Sequence, residues 1–177
     1  MKIWALRSKC VLFLTAVLLT IPTAALLAAP RQERAVNLLV IERSKNRNVV
    51  RYDLVLDKSG FYDTRRPLDV YWSMLAEDGR REELSVLERR AYGYELLPNA
   101  KPTELGVRLV AVKNRPFMVR RRNDTYRAEL SIQGVAAYLE RIFVATREGP
   151  VLPTVVYVEL HGRSMQDGRT LSERIVR

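Results

Sequence analysis

"IERSKNRNVVRYDLVLD", Ile41–Asp57, decides the fold. In its second half Val50, Tyr52, Leu54 and Leu56 face one way, while Arg51 and Asp53 face the other. That period of two marks a half-buried strand over Asn48–Asp57. A second apolar run, "NLLVIER" (Asn37–Arg43), precedes it, and five polar residues, Arg43–Arg47, stand between them. "RSKNRN" reads as a long hairpin connection, since Asn46 and Asn48 tolerate turn conformations. An ordinary turn does not need Arg43, Ser44 and Lys45 together. Their donors suit a carboxylate, a phosphate or an acidic neighbour, so Arg43, Ser44, Lys45 and Asn46 are candidate ligand-binding residues.

The period of two recurs along the rest of the chain. Strands are predicted at Leu68–Ala76, Tyr94–Leu97, Glu104–Lys113, Pro116–Arg122, Thr125–Gln133, Ala136–Thr146, Thr154–His161 and Thr170–Val176. The breaks between them, such as "RND" and "QDG", are short polar turns that join antiparallel neighbours. Only "RREELSVLERRAYG", Arg80–Gly93, carries helical periodicity. Leu84, Leu87 and Ala91 share a face, Asp78 can cap the start and Gly93 can end it in a left-handed conformation. Strand and helix do not alternate, so a parallel sheet is not expected. The pattern predicts a mainly β fold of about 8–10 strands. An antiparallel β-barrel, a strongly curved sheet or a sandwich would serve, with one amphipathic helix packed by Leu84, Leu87 and Ala91.

The first thirty residues stand apart. A basic start with Lys2, Arg7 and Lys9 is followed by the uncharged stretch Cys10–Pro30 and a run of small residues. That order describes a secretory signal peptide over residues 1–29, followed by a single β-rich domain over 30–177. The alternative is an uncleaved anchor in the inner membrane. The predicted location is therefore periplasmic or extracellular. The whole chain has 30 Lys+Arg against 20 Asp+Glu. Without the three N-terminal cations it carries 27 against 20, a net +7, which favours an anionic partner. The compartment argues against nucleic acid, and the membrane is reached only through the N-terminal segment if that stays uncleaved. Cys10 is the only cysteine, so the remainder, without any disulfide, must be held by its core.

"IERSKNRNVVRYDL", "PLDVYWSMLAEDGRREELSVLERRAYGYEL" and "VYVELHG" together resemble the bacterial domain-of-unknown-function family numbered 4833, from about Leu38 to about Ile175. The resemblance implies a single exported domain of this size. It brings no activity, cofactor or catalytic residue.

The residues themselves offer a short list of chemistry. One histidine and no cysteine beyond Cys10 argue against a zinc site. "DKSGFYD", Asp57–Asp63, is the nearest approach to a calcium loop but lacks regular ligand spacing. No cofactor is implied. Glu159 and His161, two apart on one strand, can form an orienting pair. No Gly-x-Ser-x-Gly elbow accompanies them. Glu88 and Tyr92 stand at i and i+4, either as a general acid beside a phenol or as a structural anchor. Trp72 matches the apolar face of Val70 and Met74, leaving Tyr71 with Asp69 and Ser73. A barrel mouth lined by Tyr71, Tyr92 and the Arg43–Lys45 turn would suit a small anionic or glycan-like ligand. Three functional classes follow. One is a non-enzymatic exported binding domain for such a ligand or an envelope partner. The second is a hydrolase using Glu88 or Glu159/His161. The third is a structural envelope protein with a basic surface.

Overall fold

The computed structural model describes residues 34–98, 103–149 and 154–176. The export signal expected over residues 1–29 lies outside the described residues, as does most of the "PNAKP" and "REGPVLP" breaks. Eleven strands form one continuous mixed sheet: β1 (Arg34–Arg43), β2 (Asn46–Leu56), β3 (Leu68–Ser73), β4 (Arg81–Glu83), β5 (Tyr94–Leu96), β6 (Glu104–Leu109), β7 (Phe117–Arg122), β8 (Thr125–Ile132), β9 (Val135–Arg147), β10 (Thr154–Ser164) and β11 (Thr170–Val176). Among the described residues one α-helix, α1 (Val86–Tyr92), and a 3-10 turn at Val110–Val112 interrupt them. Among the described residues no helix is long and apolar enough to cross a membrane, which does not bear on membrane β-barrels.

The sheet curls into a half-barrel around β9. At 13 residues β9 outruns its hairpin partner β8, which pairs only with residues 135–138. β1 takes the vacant stretch, with Val40–Arg43 beside Arg141–Val144, and it does so in parallel. The expected strongly curved, mainly β sheet is present, and this one parallel pairing makes it mixed rather than wholly antiparallel. The reason is the long excursion from β2 through β8, which returns the chain to β1 in the same direction. β10 covers the other edge of β9. Where β9 passes from β8 to β1, the β9–β10 register slips between His161 and Gly162. A Cβ on Gly162 would lie 2.1 Å from the Tyr138 carbonyl oxygen, so only glycine permits this crossing.

Leu39, Ile41, Val50, Tyr52 and Leu54 on one wing meet Leu105, Val107, Val119 and Ile132 on the other, all essentially inaccessible. Three tyrosine hydroxyls donate across this core to carbonyls: Tyr52 to Tyr92 at 2.6 Å, Tyr62 to Glu104 at 3.1 Å and Tyr94 to Leu68 at 3.2 Å. Each satisfies a carbonyl that the sheet ladder leaves free, so the tyrosines join the wings at defined points.

Several local readings change. The first strand begins at Arg34, ahead of the apolar run Asn37–Arg43, because Arg34–Val36 pair with Leu54–Leu56. The connection from β1 to β2 is only two residues, Ser44–Lys45, since Arg43 and Asn46 are already paired. Residues 81–83 are an edge strand against β3, not the first turn of a helix. Asp78 and Gly79 make the hairpin turn there. Gly79 has φ 76°, and the Asp78 carboxylate accepts from the Arg80 amide at 3.0 Å. The helix starts only after Ser85, whose hydroxyl accepts from the Glu88 amide while the Glu88 carboxylate accepts from the Ser85 amide. Leu84 is buried ahead of the helix, whereas Leu87 and Ala91 are exposed, so the expected packing stripe does not form. Gly93 is extended, at φ −67°, rather than left-handed. It is needed for space: a Cβ would stand 2.4 Å from the Arg89 carbonyl. β6 stops at Leu109, where the 3-10 turn begins, instead of running to Lys113.

The basic hairpin "VRRRND", Val119–Asp124, is held by its own ion pairs. Asn123 and Asp124 both take positive φ, as a two-residue hairpin requires. Arg120 and Arg122 reach back to the buried Glu129 at 2.9 and 2.7 Å, and Arg121 pairs with Asp124 at 3.1 Å. Burial works against the Glu129 charge, but the two guanidinium groups outweigh it and hold the carboxyl below its usual range.

Two substitutions test this frame. Gly162→Ala should force β9 and β10 apart and cost about 1–3 kcal/mol, read as a lower urea midpoint. An unchanged midpoint would mean the crossing has slack. Tyr52→Phe should cost about 1–2 kcal/mol by leaving the Tyr92 carbonyl buried and unpaired.

Candidate ligand-binding cleft

Arg43 ends β1 and Lys45 sits in the tight turn beside it. Ser44 fastens that turn to β9. Its amide donates to the Val144 carbonyl at 3.1 Å, and its hydroxyl accepts from the Thr146 amide at 3.0 Å. Asn46 closes the turn from the other side, its side-chain oxygen accepting from the Asn48 amide at 3.2 Å and from Arg43 at 3.4 Å. Ser44 and Asn46 thus position the hairpin tip, and Arg43 and Lys45 are the groups it presents.

The tip faces α1 across a cleft of about 470 Å³. Its far side is the 3-10 turn, and its floor is the ends of β9 and β10. Leu87, Ala91, Val110, Val144 and Val155 make the walls apolar. Val155 arrives there through a bulge. The β9–β10 register shifts between Val155 and Tyr157, so Val155 stays on the inner face with Val158 and Leu160. Strict alternation would place Val155 with Tyr157, Glu159 and His161; the bulge separates them.

The charged residues lining the cleft are Arg43, Lys45 and Arg90, all cations. Among the described residues none of the three forms an ion pair with a carboxylate. Most arginines elsewhere do: Arg81 holds Asp69 at 2.7 Å, Arg115 holds Glu173, and Arg174 holds Glu159 at 2.7 Å. A neighbouring cleft beside Leu84 and Tyr94 contains Arg66 and Arg89, but these are matched by Asp69 and Glu83.

Behind the cleft is a fixed relay. The Arg43 guanidinium lies 4.3 Å from the centre of the Trp72 ring, and Arg43 Nε is buried without a hydrogen-bond acceptor. The Trp72 indole N–H donates to Glu88 Oε1 at 3.0 Å, and the Tyr92 ring meets Trp72 edge-on at 5.4 Å. Glu88 Oε2 accepts from the Ser85 hydroxyl at 2.7 Å and its amide at 2.9 Å. The Ser85 hydroxyl, ahead of its amide, the indole and the Arg43 charge, holds the Glu88 carboxyl below the usual range. The helix cap, the indole plane and the cleft's arginine are thereby one assembly.

Arg43, Lys45 and Tyr92 line the cleft, and Trp72 and Glu88 back it. Tyr71 is elsewhere. It points to the opposite face of β3, where its hydroxyl donates to Asp53 at 2.7 Å and Arg81 stacks on its ring at 4.0 Å. Strand alternation decides this: once Trp72 faces inward, Tyr71 cannot. Arg90, Val110 and Val144 escaped the sequence reading. A cation such as Arg90 near a helix C-terminus is accounted for by the helix dipole alone, and Val110 lies inside the strand predicted over Glu104–Lys113.

The acid–base candidates have the opposite tuning from a general acid. Glu88 is held ionised. Glu159 does approach His161 at 3.4 Å, but Arg174 binds it and, with His161 adding less, keeps it below the usual range. Among the described residues no serine or threonine hydroxyl is bonded to His161. In the loop Asp57–Asp63, Asp57 accepts from the Ser59 and Phe61 amides and Asp63 from the Arg65 amide, so both carboxylates brace their own turns.

The model of the family described as "Domain of unknown function (DUF4833)" matches residues 39–174. The chain belongs to that family. No curated protein and no solved structure matches the chain. Family membership therefore identifies an uncharacterised domain, and the cleft's own chemistry must carry the functional argument.

Glu88 should show in an acid titration. Its folded-state pKa lies below the unfolded one, so its stabilisation is complete above the ordinary glutamate range and disappears as pH falls through the folded value. Glu88→Gln keeps the cap but should flatten that acid limb. Glu88→Ala should cost about 1 kcal/mol at neutral pH and shift Trp72 emission as the indole loses its acceptor.

Proposed function

We propose that this domain binds an amphipathic anion, with the acid group among Arg43, Lys45 and Arg90 and the apolar part against Leu87, Val110, Val144 and Val155. One observation carries the reading: a cleft with apolar walls whose charged lining residues are three cations, none of them in an ion pair among the described residues. Arg43 is half-buried and its Nε lacks an acceptor, so it gives up solvation that a bound anion returns, while Lys45 and Arg90 are exposed and add attraction. The volume, about 470 Å³, falls within the range of small-molecule sites, about 300–1,000 Å³. A sugar would need several neutral donors and acceptors around it. Here Thr146 and Tyr92 are, among the described residues, the only neutral polar side chains lining the cleft, which favours an apolar chain over a glycan.

The reading includes export. The uncharged stretch Cys10–Pro30 behind Lys2, Arg7 and Lys9 supports a signal that delivers the domain beyond the cytoplasm, where it acts as a binding protein. Cell fractionation with N-terminal sequencing tests that part. Full-length chain in the cytosol would overturn it.

Binding is tested by mass spectrometry of small molecules retained from native cells, then by calorimetry with dodecanoate, dodecyl phosphate and dodecyltrimethylammonium. The two anions should bind and the cation should not. Arg43→Ala and Arg90→Ala should each weaken dodecanoate by about tenfold or more, as expected for one charge-assisted contact. Tyr71→Phe, on the other face of the sheet, should leave affinity unchanged. Equal affinity for the cationic amphiphile would refute the reading.

A further inference from the structure

The entrance to the cleft is itself unusual. Val86 and Leu87, in the first turn of α1, are 76% and 62% exposed, and Leu87 also lines the cleft. No residue of α1 is buried, so the helix is held by its cap and by Trp72 and Tyr52, and its apolar side chains face outward. Leu87 shares the cleft lining with three cations, Arg43, Lys45 and Arg90, and Arg47 is exposed on the same hairpin. Among the described residues none of these four forms an ion pair. Exposed apolar side chains beside cations that form no ion pair are complementary to an anionic head-group layer with hydrocarbon beneath it.

We infer that the domain docks on an anionic phospholipid bilayer through Val86 and Leu87, with Arg43, Lys45, Arg47 and Arg90 on the head groups, and takes its amphipathic ligand directly from that surface. This rests on the binding reading above. Leu87 belongs to both the docking tip and the cleft wall, so a chain leaving the bilayer meets apolar side chain throughout. Its acid group exchanges neighbouring head-group counter-ions for Arg43 and Arg90. Nothing covalent changes. Each surface cation contributes roughly fivefold to partitioning onto an anionic membrane, and the effect falls with salt.

The full chain is mixed with vesicles of phosphatidylglycerol and phosphatidylcholine, or of phosphatidylcholine alone, and separated by flotation; dodecanoate binding is measured in parallel by calorimetry. The protein should float with the anionic vesicles, not with pure phosphatidylcholine, and should be released by high salt. Val86→Glu, at a side chain outside the cleft lining, should reduce flotation at least tenfold while dodecanoate affinity is kept. Arg47→Glu should act likewise. Wild-type protein that binds dodecanoate but ignores anionic vesicles would overturn docking and leave the cleft reading intact. Flotation that survives both substitutions would overturn the surface named here. Failure to bind either dodecanoate or vesicles would overturn both.

Discussion

β9 is the constraint on which the structure depends. One edge of this strand serves two partners in succession, β8 and then β1, while its other edge carries β10. A strand shared in this way cannot stay flat. The two wings diverge from it and fold toward each other, which creates an interior without a closed barrel. Gly162 makes this geometry sterically available, because β10 must cross β9 closely where the partner changes. The core then fills the angle between the wings, and the three tyrosine hydroxyls fix how far apart they stand.

The cleft is a consequence of that divergence. At the C-terminal end of β9 the first wing supplies a hairpin tip and the second supplies the 3-10 turn, and the two do not meet. The short helix α1 stands over the gap. Its exposure of Val86 and Leu87 would be a defect in a helix meant to pack, but Ser85 and Glu88 stabilise it without burial. The Glu88 carboxylate joins three functions: it caps the helix, orients the indole of Trp72 and lowers the cost of keeping Arg43 close by. The distribution of charge follows. Over most of the molecule arginines and carboxylates are matched, as at Glu129 with Arg120 and Arg122. At the cleft they are not, and that local imbalance, rather than net charge, is what distinguishes the site.

The opening stretch shows how sequence reading and structure divide. Arg43–Arg47 reads as a hairpin connection whose donors also suit a ligand, and it is a two-residue turn that presents two cations to a cleft. Nothing in the stretch itself says so. The partner surface comes from Val110, Val144 and Val155, which lie about 60 to 110 residues away in sequence. The helix was misjudged for a related reason. Leu84, Leu87 and Ala91 have helical spacing, but Asp78–Gly79 turned the chain back first and committed residues 81–83 to the edge of β3. Local turn chemistry overrode periodicity.

What the sequence by itself determined is the β-rich class, nearly every strand, the inward face of β2 and the family. These follow from alternation and turn residues, which act over a few positions and survive in any tertiary arrangement. Only the tertiary structure decided the parallel seam between β1 and β9, the bulge that turns Val155 inward, the removal of Tyr71 to the far face and the gathering of unpaired cations at one cleft. Each depends on which distant strand ends meet, and on whether a charge finds an opposite partner there. Pairing across a hundred residues is an outcome of packing, and a one-dimensional pattern contains no term for it.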